Sequence, residues 1–176
     1  PVDIKGLEPA DGAKTSWIAK LDALTSKTKD RDDSNADFGN EPSIDIPWEY
    51  DYVGAQWKTQ GVVREIQQQI FPAAPAGIAG NDDLGTMSAW YVFASVGLFP
   101  QAPGRAELLV GSPTFTRVAI ARSNGVKLTV TANSTETYVQ GAKVDGAATT
   151  RSWLPESFLT RGGRLALTLG SPANQA

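Results

Sequence analysis

Residues 84–104 read LGTMSAWYVFASVGLFPQAPG, and the chain changes character across them. The first fifteen of these residues are apolar nearly all round, the pattern of a helix buried on most sides. The Pro and Gly residues from Pro100 to Gly104 then stop it. Upstream the apolar residues follow the helical period. Trp17, Ile18, Leu21 and Leu24 form one stripe over residues 13–24, and Val62, Val63, Ile66 and Ile70 form another over 58–71. Between them Pro42 suits the first turn of a helix running towards Tyr52. The Pro- and Gly-rich stretch 72–80 closes that part, so four helices joined by short loops are predicted for the front of the chain.

Downstream the period shortens to two. Residues 118–121 and 126–130 are β-rich runs joined by Arg122-Ser123-Asn124-Gly125, and Asn-Gly is a strong hairpin signal. Residues 138–140, then 143–145 with a turn at Asp145-Gly146, and residues 165–169 continue the pattern. Residues 105–170 are therefore expected to form a small antiparallel sheet or part of a sandwich. The fold class is mixed α and β, with a helical part over 1–104 and a β-rich region over 105–176.

Composition narrows the chemistry. The 176 residues are 41% hydrophobic and 20% charged, enough for a sizeable core, and no apolar run is long enough to span a bilayer. The chain opens Pro-Val-Asp-Ile-Lys, with neither an initiator Met nor a signal-peptide pattern, as expected of a piece of a longer protein. There is no Cys and no His. Disulfides, thiolate metal sites, imidazole zinc sites and Ser-His-Asp catalysis are thereby excluded from this chain. Carboxylates, amides, hydroxyls and amines remain, a set suited to hard cations and to carboxylate acid–base work. Residues 1–100 hold 15 acidic and 8 basic side chains, against 4 and 8 in residues 101–176. An acidic front argues against nucleic acid, whose phosphates require a basic face.

Three segments invite a functional reading. Asp33 to Gly39 resembles an EF-hand loop, but its Gly falls one place late and Ile44 stands where a bidentate Glu is required, so a solvated loop is the better reading. Asn133-Ser134-Thr135 is a glycosylation sequon, a triplet common by chance. Gly80-Asn81-Asp82-Asp83-Leu84-Gly85 places two adjacent carboxylates in a Gly-flanked loop before the apolar helix. Such groups can cap the free N–H groups of the helix, and the same position suits a fixed, ionised general base. The residue types leave both open. The aromatics Trp48, Tyr50, Tyr52 and Trp57, mixed with Glu49, Asp51 and Lys58, read as a cleft wall, whereas Trp90, Tyr91 and Phe93 read as core.

Together these segments resemble the C-terminal half of family 92 glycoside hydrolases. The residues that carry the resemblance, in the family's order, are Gly39-Asn40-Glu41-Pro42-Ser43, Tyr52-Val53-Gly54, Trp57-Lys58-Thr59-Gln60, Gly80 to Gly85 and Met87-Ser88-Ala89-Trp90-Tyr91-Val92-Phe93. Gly97-Leu98-Phe99-Pro100, Pro103-Gly104, Gly111-Ser112-Pro113 and Thr150-Arg151-Ser152-Trp153-Leu154 follow. The resemblance implies an inverting exo-α-mannosidase in which calcium holds the terminal sugar. This chain would supply the last helices of an (α/α)6 catalytic barrel and a small antiparallel β-rich tail. Asp83 matches the family's general base, with Asp82 in support. Asn40 and Glu41 match a loop facing the calcium and sugar, and Trp57, Lys58 and Trp90 match residues that line or support the sugar site.

The family's general acid is a Glu upstream of the matched region, and its N-terminal β-sandwich is absent too. Phe38, Ile44 and Glu156 stand where several relatives carry His. The implied substrate is a mannose-containing glycan with terminal α-mannosides, expected to be α-1,2-linked. The implied partner is the missing N-terminal portion of the same enzyme, and the implied location is secreted or periplasmic. A non-catalytic, calcium-dependent mannose-binding module is the alternative, and an inactive fragment is a third reading.

Overall fold

The computed structural model describes residues 11–28, 35–102 and 104–175. The N-terminal Pro1–Ala10, the Asp33-Ser34 start of the EF-hand-like segment, and Pro103 lie outside them. The chain forms two compact units, Pro1–Tyr91 and Val92–Ala176, so that the second begins within the apolar helix.

In the first unit, helix α1 spans Asp11–Thr25 and helix α2 spans Gln56–Ile70. Each follows its apolar stripe. Leu21 of α1 packs with Tyr50, Val53 and Ala55, with Ile18 and Val62 at the margin. Val63 and Ile66 are the buried positions of α2, alongside the polar Thr59, Gln60 and Gln67. Trp17 departs from the expected stripe and stands 43% exposed.

The segment expected to run as one helix from Pro42 is instead two 3-10 turns, Glu41–Ser43 and Ile46–Val53. Pro42 and Pro47 each sit in a first turn, where their missing N–H groups cost nothing. The tighter winding turns Trp48 and Tyr50 inward, to 0% and 1% exposure. The cleft-wall reading fails for these two residues: along the 3-10 turn Tyr50 shares a buried face with Pro47 and Val53, three residues to either side, and Trp48, next to Pro47, is buried with them.

Helix α3 spans Thr86–Val96. Met87, Trp90 and Ala94 are buried, whereas Tyr91, Val92 and Phe93 are exposed. An all-apolar helix therefore presents an open face, contrary to the expectation of burial on most sides. Gly97 ends the helix at φ 80°, with its N–H on the Phe93 and Ala94 carbonyls. The left-handed turn requires Gly, and a Cβ there would also press on Pro113.

The second unit holds two sheets. Strands β1 (Leu98–Phe99), β2 (Glu107–Val110) and β7 (Trp153–Pro155) form an antiparallel set in the order β1-β2-β7. Strands β3 (Arg117–Ala121), β4 (Lys127–Ala132), β5 (Tyr138–Val144), β6 (Ala147–Thr149) and β8 (Gly163–Gly170) form a five-stranded sheet in the order β3-β4-β8-β5-β6. A short helix, α4 (Glu156–Arg161), precedes β8.

The β3–β4 hairpin closes at Arg122 and Val126, with Gly125 alone at positive φ. That is a three-residue loop with its Gly in the left-handed position. At the β5–β6 turn both Asp145 and Gly146 take positive φ, the two-residue form. The sheet is not antiparallel throughout, however. β8 runs parallel to β4, with Val130 opposite Leu165, and antiparallel to β5. Leu165, Leu167 and Leu169 alternate inward along β8 and meet Leu128, Val130, Leu154 and Phe158 in the core.

Candidate active site

The loop before α3 is built by its own hydrogen bonds. The Thr86 N–H donates to the Asp83 carbonyl at 3.1 Å, and the Met87 N–H to the Asp82 carbonyl at 3.2 Å. The Ser88 N–H donates to Asp82 Oδ1 at 2.9 Å, and the Ala89 N–H to the Gly85 carbonyl at 2.9 Å. A helix leaves its first four N–H groups without partners inside the helix. Here the loop accepts all four, and the only carboxylate used is that of Asp82. Ser88 Oγ adds a second hydrogen bond to the same Asp82 oxygen, at 2.8 Å.

The two neighbouring acids therefore differ. Asp82 is the cap. Asp83 is half-buried, and among the described residues its carboxylate makes no hydrogen bond or ion pair. Its backbone lies in the left-handed region at φ 49°, as does Leu84 at φ 59°. Asp tolerates that conformation better than most residues, whereas Leu does not, and each such position costs of order 1–3 kcal/mol. The side chain of Leu84 is wholly exposed, so packing does not explain its place. The strain is localised at the acid that capping leaves free.

Asn40 and Glu41 are both exposed at the start of the first 3-10 turn, and among the described residues neither side chain is hydrogen-bonded. One contact links this segment to α3. Trp90 Nε1 donates to the Ile44 carbonyl at 3.0 Å, and its ring stacks on Phe71 at 5.6 Å. At 2% exposure Trp90 is a strut between the Asn40–Glu41 segment and α3, the helix that the Asp82-Asp83 loop leads into.

Trp57 and Lys58 gather elsewhere in the unit. Lys58 Nζ contacts both oxygens of Asp22, at 2.8 and 3.0 Å, and lies 4.9 Å from the centre of the Trp57 ring. Tyr50 donates to the same Asp22 at 2.8 Å and meets the Thr25 hydroxyl at 3.0 Å. Burial pushes the Tyr50 hydroxyl above its ordinary range; the Thr25 hydrogen bond opposes this, and Asp22 adds to it. The role of Asp22 carries no sequence signal, because its partners lie 28 and 36 residues away.

Asp51, which the sequence reading set in a cleft wall, instead turns its carboxyl inward. Its Oδ1 accepts the Thr59 hydroxyl at 2.8 Å, while Oδ2 is buried with no partner among the described residues. Burial pushes the carboxyl up to about 8, with the Thr59 hydrogen bond pulling the other way. Burial also raises Asp45 and Glu49; the Asp45 charge raises Glu49 further, and a hydrogen bond from Trp17 opposes it.

The other two motifs resolve plainly. Asp37 Oδ1 accepts the Gly39 N–H at 2.9 Å, a local Asx turn, and among the described residues no group of three or more acids could hold a metal. Asn133 is tied by both ends of its amide: Oδ1 accepts the Leu169 N–H and Nδ2 donates to the Leu169 carbonyl. Its sequon thus coincides with a structural clasp on the end of β8.

The family model for the glycosyl hydrolase family 92 catalytic domain matches residues 1–171. The chain belongs to glycosyl hydrolase family 92. It is 32% identical, over 97% of its length, to an uncharacterised secreted glycosidase of Arthroderma benhamiae. A family 92 alpha-mannosidase of Bacteroides thetaiotaomicron, solved in complex with mannoimidazole, superposes with a TM-score of 0.85 over 94% of the chain at 28% identity. An inverting mannosidase of the same family and species superposes with a TM-score of 0.82 over 98% at 30% identity. The family 92 chain spans 22% of the first of these proteins, 23% of the second and 26% of the third. No helix among its described residues is long and apolar enough to cross a membrane.

Proposed function

We propose that this chain is the C-terminal part of an inverting, calcium-dependent exo-α-mannosidase, with Asp83 as the general base. One observation carries the assignment. In a family 92 chain, the loop before α3 satisfies its helix with Asp82 and leaves the adjacent Asp83 carboxylate half-buried and without a partner among the described residues. A base must keep its lone pairs for the water it activates, and a carboxylate spent on capping would not.

In this reading Asp83 takes a proton from a water whose oxygen attacks the anomeric carbon. The leaving oxygen takes its proton from an acid outside this chain. The acid and base of an inverting enzyme stand about 6.5–9.5 Å apart so that water fits behind the sugar. Asp82 holds the loop in register. Trp90 braces it against the Asn40–Glu41 segment, and Trp57 and Lys58 form a separate, internally paired support for the sugar site.

Asn40 and Glu41 fit calcium in kind, as exposed oxygen donors with no competing hydrogen bond among the described residues. Calcium takes six to eight oxygens, so the sugar and residues outside this chain would complete the set. When bound, it would supply a hard cation for the hydroxyl oxygens of the sugar. The helices of the 1–104 region would belong to an (α/α)6 barrel, followed by the β-rich region 105–176. The exposed Tyr91, Val92 and Phe93 fit a surface covered by the remainder of the enzyme. The substrate would be terminal α-mannosides of glycans, α-1,2-linked ones among them, met in a secreted or periplasmic setting.

The test is hydrolysis of α-1,2-mannobiose by the full-length protein that contains this chain, with calcium and with a chelator. Asp83→Asn is expected to lower kcat by about 10²–10⁴-fold, the usual worth of a general base. Chelation is expected to abolish release, and β-mannose is expected to appear first. The 176-residue chain alone is expected to release none. Full turnover by Asp83→Asn would sink the base assignment. Sugar binding without hydrolysis by the full-length protein would favour a non-catalytic mannose-binding module.

A further inference from the structure

Capping α3 requires one acceptor for the Ser88 N–H, and Asp82 Oδ1 provides it. The hydroxyl of Ser88 does something beyond this. It brings a second hydrogen bond to the same oxygen, at 2.8 Å, so that one residue grips Asp82 through both its backbone N–H and its hydroxyl. Asp82 is exposed, and an exposed carboxylate held by one hydrogen bond turns freely about its χ angles. Two donors from one residue remove that freedom. Charge-assisted bonds of this kind are also the stronger sort.

The consequence passes along the chain. The peptide that leads from Asp82 to Asp83 is held at the Asp82 carbonyl, which accepts the Gly85 and Met87 N–H groups at 3.1 and 3.2 Å. It is held at the side chain by Ser88. Asp83 then follows in a left-handed conformation that a free loop would relax. Releasing the side-chain grip allows the strained pair Asp83-Leu84 to shift, and with it the direction of a carboxylate that has no partner of its own among the described residues.

We propose that Ser88 is a positioning residue of the reaction: its hydroxyl fastens Asp82 and thereby aims the Asp83 carboxylate. This rests on the reading of Asp83 as general base, and the experiment separates the two. In the full-length protein, Ser88→Ala is expected to lower kcat by about ten- to a hundredfold with KM unchanged, because a displaced base costs rate rather than sugar binding. Ser88→Thr keeps the hydroxyl and is expected to restore most of the rate.

Azide supplies the decisive readout. As an anion it attacks the anomeric carbon without giving up a proton; the new C–N bond forms as the C–O bond breaks, and the leaving oxygen takes its proton from the acid as before. A step that needs no base is insensitive to where the base points. Azide is therefore expected to recover turnover in both Asp83→Asn and Ser88→Ala, with the glycosyl azide as product. Ser88→Ala with an unaltered kcat overturns the proposal. So does a loss that falls on KM, or one that neither Thr nor azide recovers, since those mark a capping or folding role alone. Full turnover in Asp83→Asn instead removes the base assignment, and this inference with it.

Discussion

Asp51→Asn should remove most of the pH dependence of stability in the first unit. The folded carboxyl titrates near 8 rather than at its ordinary 3.8, because burial disfavours its ionised form. Between about pH 5 and pH 8 the folded chain keeps a proton that the unfolded chain has released. Stability then falls as pH rises, by up to about 1.4 kcal/mol per pH unit, or about 4 kcal/mol across the interval. Rearrangement around the ionised group lowers this, and a loss of about 2–4 kcal/mol is expected.

Asn removes the titration while keeping the shape and an oxygen for the Thr59 hydroxyl. Its amide N–H₂ would occupy the place of an oxygen that already lacks a partner, so the variant gains nothing at low pH. Urea unfolding followed by Trp fluorescence is the assay, with the buried Trp48 and Trp90 reporting on this unit. The expected result is a variant no more stable than the parent near pH 5 and clearly more stable near pH 8. Asp45 and Glu49 are raised in the same direction, so the parent chain and the variant share whatever slope they contribute. Parallel pH profiles for the two proteins would refute the reasoning and show that Asp51 ionises in place.

Asn133→Ala removes both hydrogen bonds to Leu169 and leaves that residue's N–H and carbonyl at the end of β8 without them; a loss of about 1–3 kcal/mol is expected in chemical denaturation. Leu165→Ala opens a cavity at a position 1% exposed in the middle of the second core, and thermal unfolding should show a loss of about 2–5 kcal/mol. A loss below about 1 kcal/mol in either case would mean that the site relaxes around the change.

Much of the molecule could be read from local pattern. The stripes of α1 and α2, the turn residues Asn124-Gly125 and Asp145-Gly146, and the alternation of Leu165, Leu167 and Leu169 depend on neighbours a few residues apart. Helix periodicity, left-handed turns and strand pleating act over that range, so the sequence states them directly. The motifs from Asn40 to Trp153 likewise pointed to the family that the chain proves to belong to.

Other features were decided only in three dimensions. No local signal places β8 between β4 and β5, because strand pairing depends on which faces need burying after the chain has returned from α4. The strands β2 and β7 are four and three residues long and are specified chiefly by each other. Trp48 and Tyr50 went inside because the chain there winds as a 3-10 turn, which residue types alone do not announce. At Asn81-Asp82-Asp83 the sequence supplied two carboxylates and two possible roles. The hydrogen-bonding needs of α3 assigned Asp82 to the helix and left Asp83 without a partner among the described residues, and that division exists only once Ser88 has been brought back against Asp82 by the helix itself.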